Sequence, residues 1–293
     1  MQKDTFEVLN EQEGERLDKY LSDIYPELSR SFFQKLIKEN NILVNGSNQK
    51  SNYRLKTDDI VEITIPDAVE TPILPQDIPL DILYEDDDVL VVNKPKGMVV
   101  HPSAGHYSDT LVNAIMYHCK DSLSGINGEI RPGIVHRIDM DTTGSLIICK
   151  NDESHIKIAE QIKAHTCNRI YVGIVLGNIK DDEGLIDAPI GRNPTDRKKM
   201  AINYKNGKEA VTHYKVLERF GDYTYLQFSL ETGRTHQIRV HMASISHPLL
   251  GDMLYSNYSS SKSRFKNLQG QCLHAQRIGF VHPRNCLLYT SDA

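Results

Sequence analysis

Over the first 65 residues the spacing of apolar positions changes from helical to strand-like. Leu17, Tyr20, Leu21 and Ile24 recur three and four apart, which lines one face of a helix. Phe32, Phe33, Leu36 and Ile37 repeat that spacing behind Ser29 or Ser31, either of which suits a helix N-cap. Ile42-Leu43-Val44 then runs into Asn45-Gly46, a pair that tolerates the positive φ of a tight turn. Val61, Ile63 and Ile65 alternate with polar residues as a returning strand does. The pattern predicts two helices followed by a small antiparallel sheet.

Residues 66–79 break this order with Pro66, Pro72, Pro75 and Pro79 and read as a linker. Strand-like runs then follow at Val89–Val92, Gly144–Cys149, Ile170–Leu176, Val211–Leu217 and Tyr223–Leu230. Two helices interrupt them, one capped by Asp109 and carrying Leu111, Ala114 and Ile115, the other over His155–Ala164. Strand alternation from Tyr223 to Leu230 favours a mixed, largely antiparallel sheet over a doubly wound one. The predicted class is α+β, with a small unit at 1–65, the linker at 66–79 and a sheet unit at 80–285.

Composition narrows the function classes. A chain of 293 residues, 39% hydrophobic and 25% charged, is ordinary for a globular protein. No apolar stretch approaches the roughly 20 residues that span a bilayer, and the first residues lack a signal-peptide core, so a cytoplasmic protein without a membrane partner is expected. Its five cysteines are widely spaced, odd in number and without a Cys-x-x-Cys pair, which predicts reduced thiols. The net charge of −5 argues against holding nucleic acid by bulk electrostatics. Locally, however, Arg192, Arg197, Lys198, Lys199, Lys205 and Lys208 face a single acid, Asp196. Such a run is either a solvated loop or a phosphate-contacting arm.

Three segments carry candidate chemistry. Between Ile134 and Cys149, His136, Arg137 and Asp139 sit inside an apolar run of the kind found in strands that sink into a core, and a carboxylate held there needs a partner or a task. From Leu230 to Met242 the chain predicts a strand ending near Glu231, a turn at Gly233 and a helix opening around Thr235. His236, Gln237, Arg239 and Val240 fall in its early turns. Arg169-Ile170-Tyr171-Val172 places a tyrosine in a strand, ordinarily a core position.

Together these segments resemble the RluA family of RNA pseudouridine synthases. The first is similar to His-Arg-Leu-Asp-x-x-Thr-Ser-Gly, with Ile138 for Leu and Thr143 for Ser. The second matches Gly-Arg-Thr-His-Gln-Ile-Arg-Val-His throughout, and Tyr171 falls at the family's active-site tyrosine. Asp88–Pro102 and His274–Pro283 resemble its first and last conserved strands. Arg16–Leu21 with Ser29–Lys38 and Ile42–Gly46 resembles an S4-like RNA-binding domain of RluD-like members. The resemblance implies a pseudouridine-synthase-type catalytic domain behind a small S4-like α/β domain, isomerising uridine in RNA, most of all large-subunit ribosomal RNA. No cofactor is implied, because the reaction breaks a carbon–nitrogen bond, turns the base and rejoins it through carbon. By the same resemblance Asp139 is the nucleophile, Arg239 its cationic partner, and Tyr171 stacks on the base or moves its proton. Arg137 fills the space of an extruded uridine or contacts the backbone. Arg30, Lys35 and Lys38 would face phosphates, as would Arg192, Lys198 and Lys199 on the basic run. No protein partner can be inferred.

Rival chemistries fit less of the chain. Asp139-x-Asp141 with His236 and His241 could hold a divalent ion, but histidines five apart lie about 140° apart around a helix, and no His-Glu-x-x-His occurs. No cysteine has an obvious activating pair. A non-catalytic RNA-binding protein is the alternative from another class. After Asn285 the resemblance stops, and Cys286–Ala293 reads like the translation of a transposon-end sequencing adapter. A truncated gene, with a sheet edge left without its partner, is the corresponding expectation.

Overall fold

Two helices form where the apolar spacing predicts them and pack over a sheet that includes one unpredicted strand. In chain order these are β1 (Gln2–Glu7), α1 (Leu17–Ile24), α2 (Arg30–Lys38), β2 (Ile42–Val44) and β3 (Ile60–Ile65). The computed structural model describes residues 2–293 except 26, 27, 29, 66–72, 104, 121, 127–131, 197, 257–264, 266 and 267. Contacts divide the chain into two units, Met1–Thr71 and Pro72–Ala293. Of the two proposed caps for α2, Ser29 lies outside the described residues and Ser31 is inside the helix.

In the first unit the strand order is β1-β3-β2, antiparallel throughout, with Phe6 opposite Val61 and Val44 opposite Val61 on the other side. Leu17, Leu21, Phe33, Leu36, Ile42 and Ile63 form its core at 2% exposure or less. Burying each such side chain stabilises the fold by about 1.5–3 kcal/mol. Beneath them Asp18 is fully buried and accepts hydrogen bonds from Arg16, Arg30 and Gln34. Burial works to raise its pKa, but those donors outweigh it and hold the carboxyl well below the usual range.

The second unit is built on a nine-stranded sheet among the described residues. Its elements are β4 (Ile82–Glu85), β5 (Val89–Lys94), α3 (Leu111–Cys119), β6 (Thr143–Cys149), α4 (Asp152–Lys163), β7 (Asn168–Leu176) and β8 (Glu183–Asp187). They continue with β9 (Ile190–Arg192), β10 (Met200–Ile202), β11 (Val211–Arg219), β12 (Tyr223–Leu230), α5 (Gln237–Ser244), β13 (Leu273–Val281) and β14 (Leu288–Asp292). The order is β4-β5-β6-β13-β7-β12-β11-β8, with β14 on β13 and β9–β10 a separate hairpin. Only β13–β6 is parallel, so the sheet is mixed and largely antiparallel.

The unbroken apolar runs in β5 and β6 have a physical reason: both faces of the sheet are covered. Leu90, Val92, Leu146 and Ile148 pack toward Leu111 and Ile115 of α3. Val89, Val91, Ile147 and Cys149 pack toward Ile158 of α4.

Several boundaries differ from expectation. Helix α3 is capped by Thr110, whose hydroxyl accepts from the Asn113 N–H, while Asp109 sits outside at φ 59°. Helix α4 starts earlier than predicted because the Asn151 side chain caps it by accepting from the Ser154 N–H at 2.9 Å. Of the predicted linker, 66–72 lie outside the described residues, and the remainder is tied to α3. Gln76 N–H donates to the Asn113 carbonyl at 3.0 Å, and Asn113 Nδ2 donates to Leu74 O at 2.8 Å. The terminal residues also pair: Leu288–Asp292 run antiparallel to Arg277–Val281, so that stretch of β13 is not the bare edge expected.

Candidate active site

Asp139 sits on a loop leading into β6, not within a strand as its apolar neighbours suggested. Ile134 makes a single bridge to Ile148, and His136 Nε2 accepts the Ile147 N–H at 3.0 Å, so this segment leans on β6 before turning away. Burial pushes His136 down to about 3, with Arg169 acting in the same direction, and the neutral ring is the form that can accept at Nε2. The loop closes where Thr142 N–H donates to the Asp139 carbonyl at 3.1 Å.

A second residue fixes the loop from below. Lys94, at the end of β5, is fully buried and its Nζ donates to the carbonyls of Pro95, Met98 and Met140 at 2.8, 2.8 and 2.9 Å. Burial lowers its pKa to about 8, against the pull of Asp141 and Asp139. Sequence reasoning gave Lys94 no role. The available signal was a lysine closing the apolar run Val89–Val92.

The cation beside Asp139 comes from α5. Arg239 Nη1 donates to Asp139 Oδ2 at 2.9 Å, while its Nε and Nη2 donate to Asp252 at 2.7 and 3.0 Å. Asp252 is fully buried and also caps the Leu254 and Tyr255 amides at 2.9 and 3.1 Å. The Tyr255 ring lies under the guanidinium, 5.1 Å from centroid to Cζ. Burial works against the Arg239 charge, but Asp252 and Asp139 hold it protonated. Asp252 and Tyr255 were not foreseen, because nothing in their local sequence marks what they face.

The turn before α5 differs in detail from expectation. His236 is the N-cap residue in a left-handed conformation, φ 57°, so the helix opens at Gln237. His236 Nδ1 meets the Tyr255 hydroxyl at 2.7 Å and its Nε2 lies 3.9 Å from Asp139. Gln237 is a staple: its Oε1 accepts from Thr232 Oγ1 and the Arg234 N–H, and its Nε2 donates to Val211 O and Thr212 Oγ1. His241 is fully buried, with Nδ1 on Thr212 and Nε2 on the Ala188 carbonyl, both at 2.9 Å. It does not reach Asp139, which removes the proposed metal pair. The one metal-capable cluster among the described residues, Asp86, Asp88 and His282, excludes Asp139, and Arg284 already binds Asp88 at 2.6 and 2.8 Å.

Asp139, Arg239 and Tyr171 line one cleft of ≈ 560 Å³. Tyr171 enters from β7 at 9% exposure, and burial raises its hydroxyl pKa. Arg137 is exposed at the same cleft, with Nη2 donating to Thr235 Oγ1 at 3.2 Å. Among the described residues one acid, Asp139, lines the cleft with the cations Arg137, Lys163, Arg169, Arg234 and Arg239. The positive excess that the whole chain lacks is therefore present locally.

The remaining candidate residues belong to other elements. In the first unit Arg30 is tied to Asp18 at 2.9 Å, which gives it a structural partner, while Lys35 and Lys38 are exposed on α2. Arg192, Lys198 and Lys199 belong to the β9–β10 hairpin region, and Arg197 is outside the described residues. Ile190 of that hairpin packs with Val240 of α5, but Arg192, Lys198 and Lys199 are not among the residues that line the Asp139 cleft.

Comparison with known proteins converges on one chemistry. Residues 88–244 match the family model described as RNA pseudouridylate synthase, and 15–61 match the S4 domain. The chain is 50% identical over 274 residues to an uncharacterized RNA pseudouridine synthase, YlyB, of Bacillus subtilis, covering 94% of this chain and 88% of that protein. It is 45% identical over 280 residues to the ribosomal large subunit pseudouridine synthase D of Zymomonas mobilis, covering 92% and 87%. Among solved structures it resembles human RNA pseudouridylate synthase domain containing 1, with a TM-score of 0.58 and 26% identity over 77% of this chain and 85% of that one. With an S4 domain ahead of its catalytic unit, the chain belongs to the RluA family of RNA pseudouridine synthases, on its RluD-like branch.

Proposed function

We propose that the chain isomerises particular uridines of large-subunit ribosomal RNA in the cytoplasm, with Asp139 as the nucleophile. The observation that carries this reading is the arrangement Asp139–Arg239–Asp252 beside Tyr171 in one cationic cleft. Relatives named ribosomal large subunit pseudouridine synthase D, 40–45% identical, support the choice of RNA.

In this reading the carboxylate replaces N1 of uracil at the anomeric carbon, and the glycosidic electron pair leaves with the base. The detached uracil turns within the cleft and C5 attacks the anomeric carbon, displacing the carboxylate and so regenerating Asp139; the C5 proton then passes to an acceptor and N1 takes up a proton, which leaves no net change in protons. Arg239, clamped by Asp252, meets the carboxylate with a hydrogen bond and keeps it aimed. Tyr171 offers its ring to the base, and its hydroxyl, which hydrogen-bonds no described side chain, is available for proton movement. Arg137 at the cleft edge occupies the gap left when the nucleotide is extracted. Mapping pseudouridine in ribosomal RNA with and without this gene tests the substrate. One or more large-subunit positions must revert to uridine on deletion; an unchanged map would refute the assignment to this RNA.

A further inference from the structure

Among the described residues, Arg169 is a buried cation of the cleft that meets no carboxylate. It is 7% exposed and lies two residues before Tyr171 on β7, which puts both side chains on the same face of the sheet. Both line the Asp139 cleft. Of the guanidinium donors one is engaged, Nη2 to the Glu231 carbonyl at 3.3 Å, and Nε is buried with no hydrogen-bond partner. The contrast with its neighbours is sharp. Arg239 meets two carboxylates and Lys94 three carbonyls. A guanidinium cannot shed its proton, so a buried one without a counter-charge is unfavourable until an anion arrives.

The surroundings leave room for this group. A Cβ at Gly233 would lie 2.5 Å from Arg169 Nη1, and Gly233 has no left-handed φ that would call for glycine on its own. Glycine there makes room for the guanidinium. Lys163 and His165, from the end of α4 and just beyond it, line the same cleft, where the lining acid among the described residues, Asp139, already faces Arg239. A cleft of ≈ 560 Å³ falls in the range of about 300–1,000 Å³ that encloses a nucleotide-sized ligand.

We propose that Arg169 anchors a phosphate subsite in this cleft, holding a backbone phosphate of the RNA within one nucleotide of the target uridine. The assignment rests on the reading of the cleft as a uridine-isomerising site. The planar fork suits phosphate oxygens, and the position beside Tyr171 ties the backbone to the place where the extracted base is held. If Arg169 served only to support the Tyr171 hydroxyl, the RNA phosphates would not sense its removal.

The test uses the full chain and hairpins from large-subunit ribosomal RNA, with each loop phosphate replaced in turn by a neutral methylphosphonate. One substitution, within a nucleotide of the target, should weaken binding to the unaltered protein about tenfold or more. Arg169→Gln should lose a similar factor on unmodified RNA and be indifferent to that substitution, with Arg169→Lys between the two. A flat scan for the unaltered protein overturns the subsite, as does an Arg169→Gln profile that responds like the unaltered one. Should Arg169→Gln fail to fold, the unaltered scan and Arg169→Lys decide between the same outcomes. Pseudouridine in the same hairpins is read separately by mass spectrometry. A peaked scan without product sinks the reaction and keeps the subsite; product with a flat scan does the reverse.

Discussion

Replacing Asp252 with asparagine removes the charge that holds Arg239 from behind while changing shape least. Asp252 is fully buried and accepts two hydrogen bonds from Arg239, at 2.7 and 3.0 Å, besides capping the Leu254 and Tyr255 amides. Asparagine can keep the amide caps and one guanidinium bond, but its NH₂ would oppose the other. Breaking a buried ion pair from one side costs about 3–5 kcal/mol. Because Asp139 still faces Nη1 at 2.9 Å, the lower end applies, about 3 kcal/mol. For a unit of roughly 150–250 residues each kcal/mol shifts Tm by about 2–4 °C, so a fall of about 6–12 °C is expected. Arg239 would also lose its fixed approach to Asp139, and a displacement near 1 Å costs on the order of a hundredfold in rate. The assay pairs thermal unfolding with single-turnover pseudouridine formation at saturating enzyme. A variant within about 2 °C of the unaltered Tm that also keeps its rate would refute the idea that Asp252 organises the site.

Lys94→Met should lower stability by about 3 kcal/mol or more and slow the reaction, because three carbonyls, one of them next to Asp139, lose a charged donor. Calorimetry and single-turnover rates would check both. Tyr171→Phe should leave Tm within about 1 °C, since the hydroxyl holds no described side chain, yet reduce the single-turnover rate; unaltered kinetics would confine the tyrosine to stacking. The pH response of stability follows from His136, which is neutral in the fold down to about 3 but protonates near 6.5 when unfolded. Between those values the unfolded chain binds more protons, so stability is present above 6.5 and falls on acidification by up to about 1.4 kcal/mol per pH unit. His136→Gln, which keeps an acceptor for the Ile147 N–H, should flatten that part of a Tm-against-pH profile.

What could be read from sequence divides along physical lines. Helix α1 and strand β12 were legible because their own periodicity states which face is buried. Strand β1 was not, since Phe6 is its only large apolar residue and its existence depends on pairing with β3, more than fifty residues later. The apolar run around Asp139 looks like a strand in sequence but is loop, because residues such as Ile134 and Ile138 fill a core without a ladder. Asp139 and Arg239, 100 residues apart, meet as motif order implied. Asp252, Lys94 and Arg169 stayed invisible as site residues, because their importance lies in what they face after folding. Arg30 carries a contact that local sequence does not reveal, since its partner Asp18 comes from the preceding helix.

The central claim is that the carboxylate of Asp139 carries the isomerisation. Release of tritium from 5-³H-uridine in large-subunit ribosomal RNA, with pseudouridine identified in the product, measures it directly. Stoichiometric release and product are expected with the unaltered protein, and neither with Asp139→Asn at equal RNA affinity. Undiminished release by Asp139→Asn would contradict it.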